Sequence, residues 1–378
     1  MTKPKRVLIV SVKAGAGHLR AAEALEAAFR EAHPRIEVLN IEALEHTNAS
    51  FRKAYTESYG QLVKRAPSVW GMIYNSLERQ NTRSLTKRMA GLVDRLNARS
   101  LLKQVKEFDP DAIVCTHFLP AELFGRRRRK GKLRAPVSIV LTDYDIHTMW
   151  IQRGADRYFV ATDGMAYALR KKGIEDATVS VTGIPVMPAF AGGGGGDKAA
   201  ARRKLGLRED VPAVTVAAGG FGMAGVDRVV RDLAETGNDV QWLAVAGRNE
   251  KLAGLLEKSA EAYPGKIVPF GFVTNMHELM AASEFMVTKC GGLTSSECLA
   301  MGLPMVIVNP IPGQEERNAD FLLENGVALK ANSPAHLIYK VQRLLNDTSL
   351  LGHMAGNARA VARPRAAFDI ADAVIGGS

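Results

Sequence analysis

The stretch KCGGLTSSECLAMGLPMVIVNPIPGQEERN, from Lys289 to Asn318, decides how the chain is read. A glycine pair at Gly291 and Gly292 precedes hydroxyls at Thr294, Ser295 and Ser296 and a carboxylate at Glu297. An apolar run at Met305–Val308 then leads to a second polar cluster at Gln314, Glu315 and Asn318. Glycines permit close backbone approach, and a helix opening near Thr294 favours negative charge at its N-terminus. Backbone N–H groups and hydroxyls would face phosphates, Glu297 a ribose diol, and Gln314 and Glu315 sugar hydroxyls. A Gly-Gly loop alone would equally fit an ordinary strand–loop–helix unit with solvated ends. Thirty residues together point to a nucleotide-sugar site.

The same strand–helix rhythm runs outward in both directions. Towards the N-terminus, apolar runs at Val7–Val12, Ile36–Ile41, Ala112–Cys115, Val137–Leu141, Tyr158–Ala161 and Val179–Val181 read as short buried strands. Helical patterns such as Leu19–Ala32 alternate with them, which predicts a parallel sheet with helices on both faces. Gly192–Gly196 interrupts the rhythm and reads as a flexible linker or loop. Beyond it the strands restart at Ala213–Ala217, Gln241–Ala246, Ile267–Phe270, Phe285–Thr288 and Met305–Val308. The expected organisation is a first α/β domain over 1–190, a second over 191–357, and a helical segment 358–378 packing back toward the first. Pro364 should kink or restart that last segment. Two such domains would form a cleft lined by strand C-termini, where ligands bind.

Composition narrows the class. The 378 residues predict about two domains, and 47% hydrophobic with 24% charged residues is the balance of a folded, water-exposed protein. Cys115, Cys290 and Cys298 lack metal spacing and cannot all pair, which fits a reducing compartment. No N-terminal apolar leader and no apolar run of roughly 18 residues is present, so the chain is expected to lie on a membrane at most. The charge is unevenly placed. Residues 1–190 hold 31 Lys/Arg against 19 Asp/Glu, and residues 191–378 hold 19 against 20. A basic surface confined to one half suggests an anionic partner there. Much of it falls in Arg126, Arg127, Arg128, Arg129, Lys130, Lys132 and Arg134, which also fits a solvated basic loop.

From about 46 to 108 the alternation stops, and only amphipathic helix is predicted. Phe51, Tyr55, Tyr59 and Leu62 form one stripe and Leu85, Met89, Leu92 and Leu96 another. Trp70 and Tyr74 share a face, among Lys53, Lys64, Arg65, Arg79, Arg83, Lys87 and Arg88. Basic helices with interfacial aromatics can lie in a membrane surface, and the same stripes can simply pack on the sheet.

Three loops carry candidate chemistry. Lys13-Ala14-Gly15-Ala16-Gly17-His18 follows the first strand, but Arg20 stands where a dinucleotide fingerprint has its third glycine, and the phosphate-loop lysine is missing. His18 there can accept a proton from an acceptor hydroxyl, although a lone histidine is also a common capping or packing residue. Gly219, Gly220 and Gly222, after the first strand of the second domain, would let the backbone approach a diphosphate. The segment ending in Phe272 and Val273 offers backbone edges to a base, and Lys289 either neutralises a phosphate or is merely solvated.

Taken together, these motifs resemble the monoglycosyldiacylglycerol synthases, which comprise bacterial diacylglycerol glucosyltransferases and monogalactosyldiacylglycerol synthases. The peptidoglycan enzyme that adds N-acetylglucosamine to a lipid-linked intermediate is a more distant relative. The markers are GAGH at Gly15–His18, TDYDIHTMW at Thr142–Trp150, RYFVATDGM at Arg157–Met165, VTGIPV at Val181–Val186, the GGFG loop and the Lys289–Asn318 block. The resemblance implies an inverting GT-B fold, with two Rossmann-like domains facing across a cleft, the acceptor on the first and a UDP-sugar on the second. It makes His18 the general base, with Gly17, Asp143 and His147 near the acceptor. Gly292 and Thr294 would hold the diphosphate, Glu297 the ribose, and Gln314 and Glu315 the sugar. Asn318 would serve either the sugar or the frame.

The expected reaction takes UDP-glucose or UDP-galactose and places the hexose on diacylglycerol at the cytoplasmic face of the cell membrane, with anionic lipid attracting the basic half. Helix N-termini and hydroxyls stabilise the departing UDP, with no metal and no cofactor beyond the donor. The sequence Asp143-Tyr144-Asp145 on the other half leaves a cation site open. The alternatives are an isoprenoid-linked acceptor, a UDP-N-acetylglucosamine donor, or a non-catalytic UDP-sugar sensor of the membrane surface. Nucleic acid is not an expected partner, since no RNA- or DNA-binding signature is present.

Overall fold

The computed structural model describes residues 6–48, 51–53, 55, 62, 66–78, 98–194, 196–217 and 225–376. Gly219, Gly220 and Gly222 lie outside them, as do Tyr59, Lys64, Arg65, Arg79, Arg83, Lys87 and Arg88 and the stripe from Leu85 to Leu96. The chain divides into two compact units. The first is Met1–Pro188 with Ile311–Gln314 and Arg365–Ser378, and the second is Ala189–Pro310 with Glu315–Pro364.

In the first unit, six parallel strands form one sheet: β1 (Arg6–Ser11), β2 (Glu37–Glu42), β3 (Ala112–Cys115), β4 (Val137–Val140), β5 (Arg157–Val160) and β6 (Val179–Val181). Their order is β2-β1-β3-β4-β5-β6, with Val7 opposite both Val38 and Ala112. A parallel strand covered on both faces reads as an unbroken apolar run, and Val7 to Val10 are fully buried. The helices of this part are α1 (Gly17–Ala32), α2 (Pro67–Glu78), α3 (Arg99–Phe108), α4 (Phe118–Arg129) and α5 (Asp163–Lys171). α1 buries Ala21, Leu25, Ala28 and Phe29, one helical face against the sheet. Among the described residues between 46 and 108 there is helix and no strand.

The second unit repeats the plan with β7 (Ala213–Ala217), β8 (Gln241–Val245), β9 (Ile267–Phe270), β10 (Met286–Thr288), β11 (Met305–Val308) and β12 (Ala328–Ala331). The order β12-β11-β10-β7-β8-β9 is the doubly wound arrangement in which the sheet grows outward in both directions from its first strand. Its helices are α6 (Lys198–Lys204), α7 (Val226–Ala234), α8 (Glu250–Ala262), α9 (Met276–Ala282), α10 (Gly292–Ala300), α11 (Gln314–Glu324), α12 (Pro334–Asn346) and α13 (Thr348–Val361). Trp242, Phe285, Val306, Leu256 and Val341 centre its core.

Pro364 separates α13 from a new helix, α14 (Ala366–Gly376), which belongs to the first unit. Its Ile370, Ala371, Val374 and Ile375 join Val7, Ile9, Leu25 and Phe29 in one core. His33 pairs with Asp372 at 2.8 Å, and the Arg157 guanidinium donates to the Ala373 carbonyl.

Arg126 to Arg129 are not a loop: they form the last turn of α4, where cations favour the negative end of the helix dipole. Arg128 is further tied to Asp156 at 3.1 Å. The glycine tract is also more than a spacer. A Cβ on Gly194 would lie 1.6 Å from the Met301 carbonyl oxygen, at the end of α10, so that backbone approach requires glycine. Gly194→Ala should therefore lower stability by about 1–3 kcal/mol, read as a lower Tm of the purified protein. An unchanged Tm would return the tract to a linker role.

Candidate active site

Open parallel sheets bind ligands beyond the strand C-termini where the strand order reverses. In the first unit that point lies between β1 and β3. The loop after β1 delivers His18 in the first turn of α1, and the residues after β3 are Thr116 and His117. They meet there. His18 Nδ1 lies 2.8 Å from the Thr116 carbonyl and 3.0 Å from Thr142 Oγ1, and the Thr116 hydroxyl donates to the His18 carbonyl at 3.0 Å. The rings of His117 and Trp150 stand 4.7 Å and 6.0 Å away.

This packing sets the chemistry of His18. A carbonyl oxygen only accepts, so Nδ1 carries the hydrogen and Nε2 keeps its lone pair. Burial of the ring lowers its pKa from 6.5 to about 4, opposed by the hydrogen bond to Thr116. The imidazole is thus neutral and able to take a proton at neutral pH. Because the folded value is depressed, His18 contributes no penalty above pH 6.5, and stability falls as pH drops from 6.5 toward about 4, where the unfolded chain binds the extra proton. His117 is held neutral too, by burial and then by its neighbour His18, and its Nδ1 accepts from the Leu119 N–H at 3.1 Å to cap α4.

In the second unit the order reverses between β7 and β10. The glycine loop after β7 lies outside the described residues, and the Lys289–Gly292 turn after β10 sits on the other side of the reversal. Gly291 is the N-cap of α10, and it offers no side chain to cap the helix. Among the described residues the first-turn N–H groups are thus left for a ligand or water. Thr294 and Glu297, three apart on one helical face, are both half-buried, as is Lys289.

Ser295 and Asn318, both expected at the donor, are fully enclosed. The Asn318 amide donates to the Cys290 carbonyl at 3.1 Å, and the Cys290 thiol donates to the Glu315 carbonyl at 2.9 Å. Glu315 and Asn318, three apart on α11, thereby hold the β10–α10 turn. A Cβ on Gly291 would come 3.8 Å from Glu315 Oε1, so that carboxylate borders the turn. Gln314 opens α11 and is half-buried. Phe272 is exposed with the Arg248 guanidinium 4.5 Å over its ring, and Val273 is half-buried.

His147 is drawn into the frame. It is buried, its Nδ1 accepts from the Met149 N–H at 3.2 Å, and its Nε2 donates to the Tyr74 carbonyl at 3.0 Å. Glu78, at the end of α2, accepts from the Thr148 N–H at 2.9 Å and sits 3.4 Å from Lys172. Its pKa is lowered: burial opposes the shift, and the Thr148 N–H, His147 and Lys172 outweigh it. Gly17 and Asp143 are half-buried. Thr116, His117 and Thr142 were not singled out from sequence. Thr142 opens the TDYDIHTMW stretch, and Thr116-His117 ends a strand beside β1, which is the one signal that could have found them. Among the described residues no group of three His, Cys, Asp or Glu side chains is placed to hold a metal, and no helix is long and apolar enough to cross a membrane.

Residues 18–186 match the family model for monogalactosyldiacylglycerol (MGDG) synthase, and residues 197–361 that for glycosyl transferases group 1. A probable chloroplastic monogalactosyldiacylglycerol synthase of Glycine max is 32% identical over 97% of this chain and 70% of its own length. A processive diacylglycerol β-glucosyltransferase of Bacillus licheniformis is 29% identical over 96% and 92%. Among solved structures, Acinetobacter baumannii MurG has a TM-score of 0.61 at 15% identity, covering 99% of this chain and 100% of its own. The calicheamicin glycosyltransferase CalG4 gives 0.61 at 14%, covering 98% of each. The fold is the GT-B fold, and the protein is a glycosyltransferase. It belongs to the family of monogalactosyldiacylglycerol synthases and processive diacylglycerol glucosyltransferases.

Proposed function

We propose that the protein moves a hexose from UDP-glucose or UDP-galactose to the free hydroxyl of 1,2-diacylglycerol, with inversion at the anomeric carbon and no cofactor beyond the donor. The observation that carries this reading is the state of His18: neutral, oriented through Nδ1, with the Nε2 lone pair left for a proton. As the diacylglycerol oxygen bonds to the anomeric carbon, its proton passes to Nε2 and the bond from that carbon to the UDP oxygen breaks. The uncapped N-terminus of α10, the Thr294 hydroxyl and Lys289 take up the charge arriving on the diphosphate, while Glu297 holds the ribose and Gln314 and Glu315 the sugar.

A single displacement on an α-linked donor gives a β-linked glycolipid. Product made in diacylglycerol liposomes and examined by proton NMR should show the large anomeric coupling of a β-hexoside. An α-linked product would sink the single-displacement reading. The acid limb of kcat/KM should lie near pH 4, where His18 gains its proton, well below that of an ordinary histidine. An acid limb at pH 6.5 would show a solvated ring.

The membrane contact is revised. Tyr74 is buried, with its ring 4.2 Å from that of His147 and tight against Gly313, and Trp70 is half-buried. The exposed face of α2 carries Val69, Met72 and Ile73, of which Met72 keeps 65% of its surface in water. Residues three and four apart form one ridge, and such a ridge on the positively charged half suits the cytoplasmic face of a membrane holding anionic lipid. The double variant Met72→Glu/Ile73→Glu should reduce co-flotation with anionic liposomes by about 10-fold or more, with UDP binding unchanged. Undiminished flotation would remove α2 from the contact.

A further inference from the structure

Resting on the reading of His18 as the base, the geometry points to Thr142 as its positioning residue. We propose that the Thr142 hydroxyl oxygen shares the Nδ1 hydrogen with the Thr116 carbonyl, and that this second acceptor fixes the plane of the ring and steadies the positive charge that forms when Nε2 takes a proton.

The two acceptors reach His18 from different strands. Thr116 follows β3 and Thr142 follows β4, at 2.8 and 3.0 Å from the same nitrogen. One acceptor leaves an imidazole free to pivot about a single N–H···O line. Two acceptors at the ends of adjacent strands define its plane, and with it the direction of the Nε2 lone pair. Thr142 is itself buried, 4% exposed, so its hydroxyl is held in place and is not exchanged for water.

The second acceptor matters because of what surrounds the ring. Among the described residues no carboxylate hydrogen-bonds His18, and the two groups that meet Nδ1 are neutral dipoles. The rings of His117 and Trp150 also lie beside it. At a part-buried ring each oriented dipole on the N–H counts for more than it does in bulk water. Threonine can supply such a dipole, and valine, with the same shape, cannot.

That difference in chemistry at constant shape provides the test. Thr142→Val keeps the volume and removes the hydroxyl; Thr142→Ser keeps the hydroxyl and removes a methyl. If the hydroxyl positions the base, Thr142→Val should lower kcat by about 10- to 100-fold with the donor KM little changed. Thr142→Ser should stay within about 3-fold of the parent. A role in packing alone reverses that order, with serine the worse of the two, and would overturn the proposal, as would two variants that both keep the parent kcat.

A second readout does not depend on transfer. Nitrogen-15 spectra of the histidine rings, with His18 assigned by difference from His18→Gln, should place its hydrogen on Nδ1 in the parent. In Thr142→Val that hydrogen should exchange faster with water. A parent ring protonated on Nε2 would overturn the proposal directly. Undiminished transfer by His18→Ala would instead overturn the base reading, and the spectra would still report whether Thr142 holds the ring, so the two failures are distinguishable.

Discussion

His18→Ala lowers kcat for sugar transfer by about 100- to 10,000-fold, the range that a positioned general base supplies, and leaves UDP affinity within about 2-fold. Donor affinity is expected to persist because His18 belongs to the first unit, whereas the donor residues from Lys289 to Glu297 and Glu315 belong to the second. Folding is expected to persist because the side chain is only partly buried and water can replace it at the Thr116 carbonyl. Kinetics with saturating donor, isothermal titration with UDP and a thermal melt separate these effects. Loss of UDP binding together with a fall in Tm would make His18 a structural residue and remove the base from the mechanism.

The second large effect falls on stability and donor binding together. Asn318 is fully buried and gives its amide to the Cys290 carbonyl, at the turn that begins α10. Asn318→Leu leaves that carbonyl without this donor in a place water does not reach, at a cost of about 1–3 kcal/mol. For a unit of this size the Tm should fall by about 3–10 °C. The donor KM should rise about 10-fold, because the turn sets where the first N–H groups of α10 point. Asn318→Asp, which has nearly the same shape but no donor, should be at least as damaging. A parent-like Tm in Asn318→Asp would show that the turn stands without the amide.

These two residues also mark what could be read before the structure. His18 was visible because it ends the loop after the first strand, a place that topology makes functional. Its partners were not visible, since Thr116 and Thr142 lie 98 and 124 residues away, and which strands neighbour β1 is a property of the sheet. Most strands were legible as apolar runs, β3, β6, β7, β9 and β11 to the residue, because parallel strands carry short runs rich in Val, Ile and Ala. The edge strand β12 was missed. Its sequence, Ala328-Leu329-Lys330-Ala331, has no β-branched residue, and it pairs on one side only, with β11.

Elsewhere the polar letters carried two meanings. In QEERN, Gln314 and Glu315 were read as sugar ligands, and Asn318 as a ligand or a frame residue. In the structure the Asn318 amide donates to the Cys290 carbonyl, and Glu315 borders the turn with a carbonyl that accepts the Cys290 thiol. On α2 the pattern gave the helix but not its rotation. Trp70 and Tyr74 do share a face, yet it is turned toward His147 and Gly313, and the less conspicuous Val69, Met72 and Ile73 face water. Aromatic content identified an unusual helix, while packing decided which side of it is available.

The most direct test of the central claim is transfer itself. Purified protein would be mixed with liposomes containing diacylglycerol, with and without anionic lipid, and with radiolabelled UDP-glucose or UDP-galactose in parallel. Label should enter the chloroform-soluble fraction from one of the two donors, faster on anionic liposomes, and His18→Ala should lose that signal. If neither donor labels the lipid although both bind, hexose transfer to diacylglycerol is contradicted.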